Sequence, residues 1–181
     1  MSRRAAIALS AILFAAAAPA WAKERLVVPE LADWKVVDTH TDGIADVREL
    51  VPANQTDDDW TQRLSIQAFR GAAMSAGTFL GGLPQQMEPV CDGMAAEPVR
   101  TVALDGAADA GRRAIACGRF KGDGKGNYTL YYAIHGREAL YVLARAWRGA
   151  PFDTAAPPVS AARLAEWNAM FDAVRLEQDS P

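Results

Sequence analysis

The feature that most constrains the fold is a pair of alternating segments either side of one short turn. In Tyr128 to His135, the residues Tyr128, Leu130, Tyr132 and Ile134 share one phase. In Leu140 to Trp147, Leu140, Val142, Ala144 and Ala146 take one phase and Tyr141, Leu143, Arg145 and Trp147 the other. Period-two alternation is the mark of a strand, because successive side chains leave opposite faces of the sheet. Gly136-Arg137-Glu138 turns the chain between the two. Upstream, Arg112 to Phe120 is a further strand, closed by the turn cluster Lys121 to Asn127, and Val99 to Leu104 is another. The expectation is an antiparallel meander of four strands.

The rest of the chain fits around that meander. Trp34 to Thr41 and Ile44 to Val51 form an opening hairpin about Asp42-Gly43, ended by Pro52. Thr56-Asp57-Asp58-Asp59-Trp60 has the carboxylates of a helix start, so a single helical turn is expected there. Leu64 to Phe69 then alternates as a strand, and Gly71 to Gly77 is a loop. Leu80, Leu83, Met87, Val90, Cys91 and Met94 recur at helical spacing, with Pro84 inside the pattern as a kink or a start. Cys91 then falls on a buried helix face. After Pro157-Pro158, Ser160 is a candidate N-cap for a closing helix with Leu164, Trp167, Phe171 and Val174 on one side and Met170 beside them. Gln178 to Pro181 is expected to fray. The sum is α+β: a mainly antiparallel sheet of six or seven strands flanked by helices.

The first 22 residues read as a signal peptide rather than as fold. Arg3 and Arg4 form a positive start, Ala5 to Ala18 is an apolar run too short to span a bilayer comfortably, and Ala20-Trp21-Ala22 has small residues at both cleavage positions. An uncleaved anchor and a twin-arginine leader are the alternatives. The short run argues against the first, and Ala6, where a large apolar residue is usual, against the second. Residues 23–181 are then one globular domain. Arg3 and Arg4 leave with the leader, so 17 of the 19 basic residues face all 22 acids, and the net charge moves from −3 to −5. Without a Lys/Arg-rich run, that balance offers nucleic acid no attraction. No second apolar stretch reaches membrane length. The expected location is periplasmic or secreted. In such an oxidising compartment, the two cysteines, Cys91 and Cys117, are expected to form one disulfide rather than two free thiols. Closing that loop would add about 3–4 kcal/mol.

Three fragments carry a resemblance. They are Glu49-Leu50-Val51-Pro52 followed by Asp59-Trp60-Thr61, the single cysteine in each of two elements, and Ala133-Ile134-His135-Gly136 followed by Leu140-Tyr141-Val142. In this order the chain resembles a group of small exported bacterial proteins without an assigned activity. Its element order also resembles the PsbP/Mog1-type sandwich. The resemblance implies an accessory or binding role and transfers no site residue.

Candidate chemistry is sparse. Asp38, His40 and Asp42 alternate, so all three could face one way as ligands for a divalent metal or as a carboxylate-held base. Alternatively, they are a solvated strand face running into a turn. His135 is the one other histidine and flanks a turn. Lys121 to Asn127 lacks the Gly-Lys-Ser/Thr ending of a phosphate loop and the ligand count of a calcium loop. Ser75 has Gly77 but Ala73 where a nucleophile elbow needs glycine. Asn54-Gln55-Thr56 matches a glycosylation sequon, relevant only in a eukaryotic secretory route. Tyr131, Tyr141, Arg145, Trp147 and Arg148 have the composition of an interaction surface, unless a helix covers their face. No pattern sets a nucleophile, a base and a third positioned group together, and nothing calls for a cofactor. The expectation is a non-enzymatic binding or accessory domain of the bacterial envelope, acting on an envelope protein or a small ligand. The competing reading is a metal-dependent or acid–base enzyme built on Asp38, His40 and Asp42.

Overall fold

The computed structural model describes residues 24–178. The expected leader, 1–22, and the last three residues lie outside them. The strands are β1 (Glu24–Val27), β2 (Trp34–Thr41), β3 (Ala45–Pro52), β4 (Gln62–Arg70), β5 (Cys91–Ala96), β6 (Arg100–Thr101), β7 (Asp109–Phe120), β8 (Gly126–His135), β9 (Ala139–Gly149) and β10 (Arg175–Gln178). Two helices, α1 (Ala76–Met87) and α2 (Ala161–Asp172), complete the α+β fold. An antiparallel eight-stranded sheet runs β2-β3-β4-β9-β8-β7-β5, and β6 pairs with β7 as well. β1 and β10 form a separate antiparallel ribbon.

The alternation in the meander decides where the core sits. Tyr128, Leu130, Tyr132 and Ile134 pair with Trp147, Arg145, Leu143 and Tyr141 across β8 and β9. Their shared face packs under α2, whose Trp167, Met170 and Phe171 are buried. Ser160 caps α2 as expected, its Oγ accepting from the Arg163 N–H at 3.3 Å. On the opposite face Ile115, Ala133, Leu140 and Val142 meet α1 through Ala76, Leu80 and Leu83.

α1 differs from expectation in extent. It starts at the Ser75 cap and stops at Met87, and Cys91 stands on strand β5, not on a helix. Pro89 has no N–H for another helical turn, so Glu88–Val90 tightens into a 3-10 turn and the chain emerges extended. Cys91 and Cys117 are joined, with Cα atoms 5.5 Å apart. The bond therefore staples edge strand β5 to β7, rather than a helix to the sheet. Pro84 stays inside α1 because its cost is offset locally. The Leu80 carbonyl would accept the N–H that proline lacks. It accepts Nη1 of Arg113 instead, at 2.9 Å.

The expected helical turn at Thr56–Trp60 is not formed. Thr56 Oγ1 accepts from the Asp59 N–H at 3.1 Å, and Gln55 Oε1 accepts from the Thr61 N–H at 2.8 Å, so side chains close a loop. Asp57 pairs with Arg63 at 2.5 Å instead of complementing a helix dipole. Val99 to Leu104 contributes only the two residues of β6. Gln178 does not fray: it pairs with Glu24, and its Nε2 donates to that carboxylate at 2.8 Å. Glu24 also accepts the Arg137 and Glu138 N–H groups at 2.7 and 3.2 Å, fastening the ribbon to the β8–β9 turn. Gly136 makes the room, since a Cβ there would stand 2.1 Å from the Glu24 carboxylate.

Candidate functional site

The two helices leave half the sheet uncovered. On the α2 face, α2 and the β1–β10 ribbon cover β7, β8 and β9. β2, β3 and β4 lie beyond them, crossed by the segment 28–34, whose Val28, Leu31 and Trp34 pack against the core cluster that holds Leu50 and Leu64, 9% and 1% exposed. Alternation along these strands sends Val36, Arg48, Leu50, Leu64, Ile66 and Ala68 to this face. Two hollows result. The first, about 360 Å³, has Val36, Leu50, Leu64 and Ile66 as floor and Val28–Leu31 with Trp34 as wall. The second, about 410 Å³, is bounded by Glu24–Leu26, Thr39–Thr41, Asp46, Ala68, Arg70 and Tyr141. Arg48 and Ile66 line both, so the hollows meet there.

The charges around this groove are mostly compensated. Asp46 accepts from Thr41 Oγ1 at 2.9 Å and pairs with Arg70. The Thr41 hydroxyl and then the Arg70 guanidinium hold its carboxyl below the usual value. Arg25 pairs with Glu177. Burial, with the Glu24 carboxylate beside it, pushes the Tyr141 hydroxyl up, so it stays neutral. Among the described residues no carboxylate stands within ion-pair distance of Arg48, although Glu30 is on the same rim.

The residues singled out from the sequence are dispersed. Asp38 and His40 do meet, with Oδ2 and Nδ1 2.8 Å apart on an exposed stretch of edge strand β2. Asp42 is elsewhere: its Oδ1 accepts the Ala45 N–H at 2.8 Å and caps the β2–β3 turn. A bulge between Val36 and Asp38 also shifts the register. Among the described residues no three His, Cys, Asp or Glu side chains are placed to hold a metal ion. The competing metal reading therefore loses its triad, because the turn needs Asp42. On that face Asp38 stands beside Glu49, whose carboxyl burial pushes up, though Ser65 hydrogen-bonds to it.

The five-residue aromatic–cationic set is split between the two faces. Tyr141, Arg145 and Trp147 lie on the α2 face and Tyr131 and Arg148 on the other. Arg145 is 2% exposed, its guanidinium 4.2 Å from the Trp34 ring centroid and 5.5 Å from that of Trp167. Arg148 is 4.3 Å from the Trp60 ring, which Arg63 covers from 4.5 Å, and it donates to the Trp60 and Asp58 carbonyls. They are packing elements and form no single surface. His135 is half-buried beside Asp109, 3.3 Å away.

Sequence reasoning missed the groove residues. The alternation Leu64, Ile66, Ala68 is visible there, but nothing in it says that no helix lies above. Among the described residues no helix is long and apolar enough to cross a membrane.

No family model matches the chain, and no curated protein matches it. Among solved structures it is similar to LpqN, described as involved in cell envelope biogenesis of Mycobacterium tuberculosis. Identity is 14%, the TM-score is 0.48, and the match covers 86% of this chain and 84% of that one. At this TM-score the likeness is a partial one of chain trace, and the PsbP/Mog1-type arrangement is not confirmed by it.

Proposed function

We propose that the protein is an exported accessory domain of the bacterial envelope that binds through the groove over β2, β3 and β4, and that it performs no chemistry of its own. The observation that carries this reading is the groove itself: two joined hollows beside β2, β3 and β4, with exposed Val36 and Arg48 at their edge and partly buried Ile66 lining both. Binding sites are concave and mostly apolar, with a few polar groups that fix orientation, and a volume of a few hundred Å³ is in their range. Export is supported by the leader-like residues 1–22 and by the Cys91–Cys117 bond, which fits an oxidising compartment.

The test is native mass spectrometry of protein purified gently from its own envelope fraction, next to a Val36→Asp variant. Val36 is 43% exposed on an edge strand, so the change charges the groove floor without disturbing the core. A denaturing run would show loss of residues 1–22 and two unalkylated cysteines. A bound mass, or a crosslinked partner, that disappears in Val36→Asp supports the reading. A bound species unaffected by Val36→Asp, or none in either protein, overturns it.

A further inference from the structure

We infer that the protein has a second binding site, separate from the groove, which takes a small neutral molecule with a flat apolar ring system. The site is a hollow of about 410 Å³ beside α1, where β4 ends and β9 begins. It lies on the α1 face of the sheet, whereas the groove lies on the α2 face. Phe69 of β4 and Phe79 of α1 are half-buried, with ring centroids 6.2 Å apart and planes inclined at 41°. Both pack against the core cluster that holds Leu140, and with Leu140 they line the hollow. Met74, 48% exposed on the loop before α1, lines it too. A thioether is polarizable and adapts its shape to an aromatic neighbour.

Charge and shape select the occupant. No residue lining the hollow is charged; Thr78 and Gln86, both exposed, supply its polar side chains. An ion seated there would give up its hydration without gaining a partner, so the ligand is neutral. The inclined rings of Phe69 and Phe79 favour another ring, which gains from offset and edge contacts with them. Gly82 keeps the space open. It stands in the interior of α1, where glycine weakens a helix, yet a Cβ there would meet nothing within 4 Å. Close packing therefore does not require glycine at this position. A longer side chain would occupy the hollow that Gly82 lines. Gly81 has the same free space but is not part of the lining.

The experiment is fluorescence titration of the full mature chain with two probes that share one ring skeleton. N-phenyl-1-naphthylamine is uncharged, and 8-anilino-1-naphthalenesulfonate adds a sulfonate. The neutral probe should bind about tenfold more tightly than the sulfonate, or better, because the hollow offers no cation. Gly82→Leu should weaken the neutral probe about tenfold or more, yet raise the urea midpoint, since leucine is the better helix former. Gly81→Ala should raise the midpoint and leave binding unchanged, which separates filling the hollow from stiffening the helix. Val36→Asp, at the groove, should also leave binding unchanged. A sulfonate that binds as tightly as the neutral probe, an affinity unaltered by Gly82→Leu, or no binding to the parent protein overturns the inference. Loss of binding in Val36→Asp but not in Gly82→Leu overturns it as well, and places the probe in the groove, whose reading then stands.

Discussion

Arg145 is a cation in the core, and replacing it should show what it costs. Its side chain is 2% exposed. Nε and Nη1 have no hydrogen-bond partner, and the nearest carboxylate, Glu166, is 3.7 Å away with 67% of its side chain in solvent. Burial pushes its pKa down to about 10 from 12.5. At about 1.4 kcal/mol per pH unit, that amounts to roughly 3 kcal/mol against the charged form at neutral pH. The sign follows from proton linkage. The unfolded chain holds this proton more tightly, so the cost is complete at pH 7 and would be relieved only as pH rises past 10. Two orphaned donors add to the same side, at about 1–3 kcal/mol each. The two tryptophan faces return about 1–4 kcal/mol together. The charge is thus a net burden, while the stem and the flat head fill space between Trp34 and Trp167. Arg145→Met keeps the length and removes the charge. It should be neutral or stabilising by about 1–2 kcal/mol, as replacements of buried ionic groups often are. Arg145→Ala should fall about 2–5 kcal/mol below Arg145→Met, because a cavity is left. Urea unfolding followed by far-UV circular dichroism reads both changes without relying on the altered tryptophan environments. A loss of 3 kcal/mol or more in Arg145→Met would refute the reasoning, since it would mean that the guanidinium has a strong partner, such as an ordered anion.

Three further outcomes are expected. Arg113→Ala strips the Leu80 carbonyl of its donor and should cost about 1–3 kcal/mol; in a Pro84→Ala background the restored N–H takes that carbonyl, so a double-mutant cycle by urea unfolding should show positive coupling. Glu49 has a raised pKa, so its burden is present above that pKa and absent once both states are protonated; Glu49→Gln should therefore raise the melting temperature at pH 7 and lose its advantage on acidification toward pH 3, whereas a gain that grows with acid would contradict the burial argument. Replacing both Cys91 and Cys117 with serine should lower stability by about 3–4 kcal/mol through the freed 27-residue loop, measured by chemical unfolding, with native strand content retained in circular dichroism.

Strands whose alternation is strong were legible, and elements held by distant partners were not. β8 and β9 match the expected segments closely because each has large apolar residues on one phase, and β2 because its run of β-branched residues ends at the Asp42-Gly43 turn. β1 and β10 left no comparable trace: four residues each, they exist through one another and through the Glu24 carboxylate's hold on the β8–β9 turn. Cys91 shows the opposite error. A helical period ran on past Met87, but Pro89 ended the hydrogen bonding, and β7 supplied a strand partner for Cys91–Ala96. The carboxylates at Asp57 to Asp59 suggested a helix start, and Arg63 drew Asp57 into a loop.

The same division holds for the candidate site. Residue order and side-chain chemistry were enough to determine the α+β class, the antiparallel meander, the N-cap of α2 and the acidic character of the chain. These arise from rules that act within a few residues: pleat period, turn chemistry and capping. Which face each helix covers, that β2 and β3 lie beyond both helices, that Asp42 belongs to a turn and that Arg145 is enclosed while Arg48 is exposed were decided by the tertiary structure alone. Each depends on how sheet width compares with the two helices available to cover it, a quantity set by long-range packing and absent from any local stretch of sequence.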